Sequence, residues 1–282
     1  MAASGTRATV AARPHGTGLP RPLSGSAGSS RYTYHHWTDG PKVSLGVAWF
    51  VVLMAAAYLE PRLLLAVLVP LATVAAYQIG HAWSLQELTD RRLGAAVGCV
   101  VTAAAWFGPV GLGLACVLGT ATLVGYAYIV GEAVLDVGTT PAGGERLRFA
   151  ELVVRAALPG AVAAGSLSIL AVEETSAFVA VVLLVSAYEI GDFLVGSGSA
   201  NGLEGPIAGL VAMAVVSVGL YLVLPDPFTN ATLPLFAAVV ALGAPLGQIA
   251  GSALLPRGDM WAPALRRLDS YLLVAPLWLL FL

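Results

Sequence analysis

The stretch LLLAVLVPLATVAAYQIGHAW, Leu63 to Trp83, decides the class of fold. It holds no Asp, Glu, Lys or Arg, and its length matches the roughly 20 apolar residues a helix needs to cross a bilayer. The same pattern recurs on either side. Upstream, an apolar run extends from about Val43 to Leu59 and ends at the turn Glu60-Pro61-Arg62. Downstream, after the polar stretch Gln86 to Arg92, the residues from Leu93 to Val130 are too many for one span. Gly108-Pro109 is their natural break. The polar loop Asp136 to Glu151 follows. A fifth run is Leu152 to Val172, with a kink expected at Pro159. The sixth is Ala177 to about Val195, the seventh Ile207 to Leu224 and the eighth Leu233 to Leu255. A short tail, Tyr271 to Leu282, comes last. The expectation is an all-α, polytopic transmembrane helix bundle of about nine spans.

Composition points the same way. Hydrophobic residues are 58% of the 282 positions and charged residues 11%, against about 25% charged in soluble domains. So few charges cannot cover a water-facing surface of this size. The abundant Ala and Gly suit helices that pack closely in lipid. The net charge of −2 suggests no bulk partner, and nothing points to nucleic acid. Cys99 and Cys116 lie inside apolar runs without metal-ligand spacing.

Residues 1–41 read as a disordered, cytosolic N-terminal tail rich in Ala, Gly, Ser, Thr, Pro and Arg. They lack the apolar core of a signal peptide. Tyr32, Tyr34 and Trp37 suit an interfacial belt before the first span, and the pair His35-His36 lacks the further ligands a metal site needs. The division expected behind the tail is an N-terminal membrane bundle, residues 42–172, and a C-terminal membrane region, residues 173–282. With the N-terminus in the cytosol, every basic residue but Arg62 falls on the cytosolic side, the asymmetry of the positive-inside rule. The lack of a signal peptide and the small, Ala/Gly-rich spans suggest a plasma membrane. One local echo stands out: Ala76-Tyr77-Gln78-Ile79-Gly80 against Ala187-Tyr188-Glu189-Ile190-Gly191. It is either the trace of a repeat or coincidence.

Ionisable groups in or near lipid are expensive and mark candidate sites. Glu189 and Asp192 are three residues apart and share a helix face at the end of the sixth run. Asn201 and Glu204 lie among glycines just beyond. Gln248, Ser252, Arg257, Asp259, Arg266, Arg267 and Asp269 cluster after the eighth run. Carboxylates, a Gly-rich loop and arginines together suit a divalent cation and phosphates. The plain alternative is that charges at span ends anchor helices at the interface and attract lipid headgroups.

The last hundred residues resemble the C-terminal half of the phosphatidate cytidylyltransferases (CDP-diacylglycerol synthases). Glu189-Ile190-Gly191-Asp192-Phe193-Leu194-Val195-Gly196 is similar to the family's acidic residue and Gly-Ala-Tyr-Phe-x-Gly stretch. Glu204-Gly205 resembles the end of its Ser-Pro-Lys-Lys-Thr-Trp-Glu-Gly motif. Gly247-Gln248-Ile249-Ala250-Gly251-Ser252, reaching on to Arg257, follows the spacing of Gly-Asp-Leu-x-Glu-Ser-x-x-Lys-Arg. Arg266-Arg267-Leu268-Asp269-Ser270 is similar to Asp-Arg-x-Asp-Ser before the final helix.

The resemblance implies transfer of CMP from CTP to phosphatidate or a related lipid phosphate, giving CDP-diacylglycerol and pyrophosphate, with Mg2+ as cofactor. It implies Glu189, Glu204, Asp269 and Arg267 as catalytic residues and Asn201, Gly205, Gln248, Ser252, Arg257 and Arg266 as substrate-binding ones. Glu189, Asp192 and Asp269 would be the metal ligands. Membrane lipid and CTP are the partners, and a homodimer is the oligomer kept open.

The departures are specific. Lys42 is the only lysine, Asn201 stands where the motif has one, and His-Gly-Gly is missing. Gln248, Gly251 and Arg266 replace carboxylates, and an arginine beside a metal position repels the ion. A family member that has lost catalysis and serves as a lipid- or protein-binding scaffold is the alternative. A small transporter is a third, against which stands the lack of paired broken helices with midplane charges.

Overall fold

A computed structural model describes residues 42–83, 88–133, 143–197, 203–224 and 226–282. The tail 1–41, with its aromatic and histidine cluster, and Asn201 lie outside these. Every regular element among the described residues is helical: α1 Lys42–Leu59, α2 Leu63–Ala82, α3 Leu88–Ala103, α4 Gly108–Ala133, α5 Gly143–Glu173, α6 Thr175–Gly196, α7 Glu204–Val223, α8 Thr232–Ala253, α9 Pro263–Arg266 and α10 Tyr271–Phe281. Apolar side chains give no polar partners to the backbone, so a lipid-exposed chain satisfies its N–H and C=O groups within helices.

Among the described residues six segments are long and apolar enough to cross a membrane, not the nine expected: Leu63–Ala82, Asp90–Ile129, Leu147–Glu173, Thr175–Gly196, Glu204–Val223 and Thr232–Ala253. The shortfall has two physical causes. The apolar helices Gly46–Leu59 and Tyr271–Phe281 are short; at ~1.5 Å per residue, the 11 residues of α10 cover about half of a ~30 Å hydrocarbon core. Asp90–Ile129 is one continuous 40-residue apolar stretch that nevertheless turns where Gly108-Pro109 led us to expect. A 3-10 turn, Ala104–Phe107, precedes Gly108, whose φ is +74°, a conformation glycine takes at little cost. The chain then doubles back. A Cβ on Gly119 would stand 2.9 Å from Val97 Cγ1, which places α4 against α3. The expected loop Asp136 to Glu151 is also corrected: α5 begins at Gly143.

α5 is the centre of the bundle. In its apolar window 67% of residues are buried, against 11% in α7, which is peripheral. Buried Ala156, Ala157, Ala161, Ala163, Ala164 and Ala171 let neighbours approach closely. Pro159 sits within this helix. α10 packs between α5 and α8, with Trp278 edge-on to Phe236 and Phe228. The Trp278 indole N–H donates to the Phe236 carbonyl at 3.2 Å.

Two glycine seams fix the end of the bundle that carries the polar residues. Between α6 and α7, a Cβ on Gly191 would meet the Ala208 carbonyl oxygen at 2.6 Å, and one on Gly209 would meet that of Tyr188 at 2.7 Å. On α8, Gly243, Gly247 and Gly251 recur once per turn and face Val274, the Asp269 carbonyl and Asp269 Cβ. The start of α10 is thereby pressed onto the α8 backbone. At the opposite end Arg62 lies 5.3 Å from the Trp106 ring centroid, near Gly108 and Glu173.

Candidate functional site

α6 brings Tyr188, Glu189 and Asp192 to the site, α8 brings Gln248 and Ser252, and the turn from α9 to α10 brings Arg266, Arg267, Asp269 and Ser270. Asp192, Gln248, Ser252, Asp269 and Ser270 are buried. Such burial is sustained only where polar groups meet one another. The Tyr188 hydroxyl donates to Gln248 Oε1 at 3.2 Å. The amide at this position, where the resembling family has a carboxylate, takes a neutral donor and asks for no counter-charge.

Arg266 is the hub. Its Nη1 donates to Ser252 Oγ at 2.9 Å and to Asp269 Oδ2 at 3.3 Å, and its Nη2 to the Gly258 carbonyl at 2.7 Å. The other oxygen of Asp269 accepts the Ser270 backbone N–H at 2.8 Å. Burial pushes the Asp269 carboxyl up to about 6, against the pull of the Arg266 guanidinium. Glu189, half-buried, shares its surroundings with Asp269, Ser270, Arg267 and Asp192.

The structure thus assembles Glu189, Gln248, Ser252, Arg266, Arg267 and Asp269, which are scattered over eighty residues of sequence. Gly205 is buried, and a Cβ there would stand 2.5 Å from Asp192 Oδ1. Two predicted site residues are exposed. Glu204 is exposed in the first turn of α7, where its charge complements the helix dipole. Arg257 is exposed and pairs with Asp259 at 3.2 Å, a surface bridge worth at most about 1 kcal/mol.

Among the described residues no group of three His, Cys, Asp or Glu side chains is placed to hold a metal ion. Glu189, Asp192 and Asp269 are therefore not a ligand set. Mg2+ needs near-octahedral oxygens at about 2.0–2.1 Å. Asp269 already spends one oxygen on a guanidinium and the other on a peptide N–H, and Arg266 and Arg267 add positive charge beside it. The residues present do not fit a Mg2+ site.

Sequence reasoning missed the contribution of α2. The Trp83 indole N–H donates to the Leu254 carbonyl at 2.7 Å, and Gln78 Oε1 accepts the Ala264 N–H at 3.1 Å. Together they hold both ends of the loop between α8 and α9. Arg155 of α5 stacks 5.3 Å from the Trp83 ring centroid and pairs with Glu151. The echo between 76–80 and 187–191 was the one signal pointing to Gln78 and Tyr188. Comparison with protein-family models, with curated proteins and with solved structures found no match.

Proposed function

We propose that this multi-pass membrane protein is cytidylyltransferase-like in build and binds the phosphate of a membrane lipid, phosphatidate or a relative, where α6, α8 and the α9–α10 turn meet. The observation that supports this reading is convergence. Three of the four motif stretches that carry the resemblance contribute buried polar groups to one site, and the fourth adds Gly205 against Asp192. Arg267 is half-buried, its side chain makes no hydrogen bond among the described residues, and its guanidinium is the one this reading assigns to phosphate oxygens. In this reading the site faces the cytosol, because Arg62 alone of the basic residues lies beyond the opposite side, and the membrane is the plasma membrane.

The motif order favours a second reading: transfer of CMP from CTP to that lipid, with Glu189 and Asp269 at the reacting phosphates. The poor fit to Mg2+ and the engagement of Asp269 by Arg266 favour binding without turnover. Both readings are tested together. Purified protein is offered phosphatidate or phosphatidylcholine in nanodiscs, and separately labelled CTP with phosphatidate and divalent metals. We expect preferential retention of phosphatidate, reduced about fivefold by Arg267→Met, since a basic group near anionic lipid contributes about 1 kcal/mol. We expect no labelled CDP-lipid. Equal retention of both lipids would sink the binding reading; CDP-lipid would establish the second reading in its place.

A further inference from the structure

The Arg266 guanidinium is held by three oxygens from separate parts of the chain: a hydroxyl on α8, a carbonyl in the α8–α9 loop and a carboxylate just before α10. The two side chains are buried, and so is Gly258. Hydroxyl, carbonyl and carboxylate oxygens are the donors a hard divalent cation takes. Here a planar, permanently charged group takes them instead, with fixed directions for each N–H. The oxygens cannot easily move away. A Cβ on Gly251 would stand 2.6 Å from Asp269 Cβ, so Asp269 is pressed onto α8 beside Ser252.

We propose that Arg266 is the built-in cation of this site. It ties α8, the α8–α9 loop and the start of α10 together, and the site is assembled without a divalent metal. A metal ion would need the same oxygens and would sit beside the charges of Arg266 and Arg267. Glu189 and Asp192 lie close by and Asp259 follows Gly258 in the chain, but among the described residues no three acidic side chains close a ligand set with one another. The inference concerns the cation and not the lipid. Mn2+ binding reports on the one and phosphatidate retention on the other, so either can fail alone.

The test uses the full chain in detergent. Mn2+ is titrated in and followed by electron paramagnetic resonance, and thermal unfolding is recorded with EDTA and with millimolar Mg2+. Wild type should leave the Mn2+ spectrum that of the free ion, and its unfolding midpoint should be the same in both solutions. Arg266→Met should lower the midpoint equally in both. Arg266→Asp, which places a second carboxylate among the same oxygens, should bind Mn2+ and gain a metal-dependent rise in midpoint. Stoichiometric Mn2+ binding by wild type, abolished by Asp269→Asn, would overturn the proposal, as would a wild-type midpoint raised by Mg2+. Failure of a folded Arg266→Asp protein to bind Mn2+ would also count against it. If neither Arg266 variant folds, the wild-type titration decides.

Discussion

The pentapeptides 76–80 on α2 and 187–191 on α6 differ at one position, Gln78 against Glu189, and both approach the segment 264–270. Their buried faces nevertheless differ. On α2, Ile79 is buried and Tyr77 is exposed; on α6, Tyr188 is buried and Ile190 is exposed. Residues two apart on a helix lie about 200° around its axis, so the same letters present nearly opposite faces to the core. Gln78, neutral, accepts a single peptide N–H. Glu189 brings a carboxyl and sits with Arg267. The likeness of the two stretches is one of residues and not of environment. A helix's rotation about its own axis is set by what it packs against.

The sharpest way to break that contrast is to truncate both tyrosines. Tyr188→Ala should cost on the order of 3 kcal/mol, the range for removing a buried aromatic, and it also strips Gln248 of its donor. Tyr77→Ala should stay within about 0.5 kcal/mol. Unfolding in mixed micelles measures both. Equal losses would mean that the two helices are buried alike.

A smaller effect comes from the shared segment. Asp269 has its folded pKa raised from 3.8 to about 6 by burial. The folded state then holds a proton that the unfolded chain releases, so the contribution of this carboxyl to stability falls as pH rises from about 4 to about 6 and is level above. By linkage this amounts to at most about 2–3 kcal/mol. Unfolding midpoints across this range should show the decline in wild type and lose it in Asp269→Asn. A decline that persists in Asp269→Asn would assign it to another group.

The smallest effect is expected at Gln78. Gln78→Ala leaves the Ala264 N–H without its acceptor and should cost about 1 kcal/mol, readable as a lowered midpoint. Hydrogen exchange at Ala264 gives a sharper measure and should quicken. Unchanged protection there would show that α2 does not hold the loop.

Much of the architecture was legible. The apolar runs, the reversal at Gly108-Pro109 and the grouping of Glu189 with Asp192 followed from hydropathy, turn chemistry and helical spacing. Span number was not, because run length alone cannot tell a crossing helix from a short one such as α10. Nor was the site complete. Trp83 and Gln78 reach it from 171 and 186 residues away, and no local pattern carries such pairings. Arg266 read as a phosphate ligand because it is an arginine near a membrane surface; its three oxygen partners become neighbours only once α8 and α10 pack.

The sequence by itself determined that the chain is helical and membrane-bound, since 58% hydrophobic residues with 11% charge need lipid to face and uncharged apolar runs of about 20 residues cross it as helices. It also determined which polar residues had to find partners, because unpaired charge in an apolar medium is too costly to keep. The tertiary structure alone decided who those partners are. Glycine seams on α6, α7 and α8 let backbones approach until Ser252, Gly258 and Asp269 close around Arg266, and that approach depends on surfaces drawn from helices far apart in the chain.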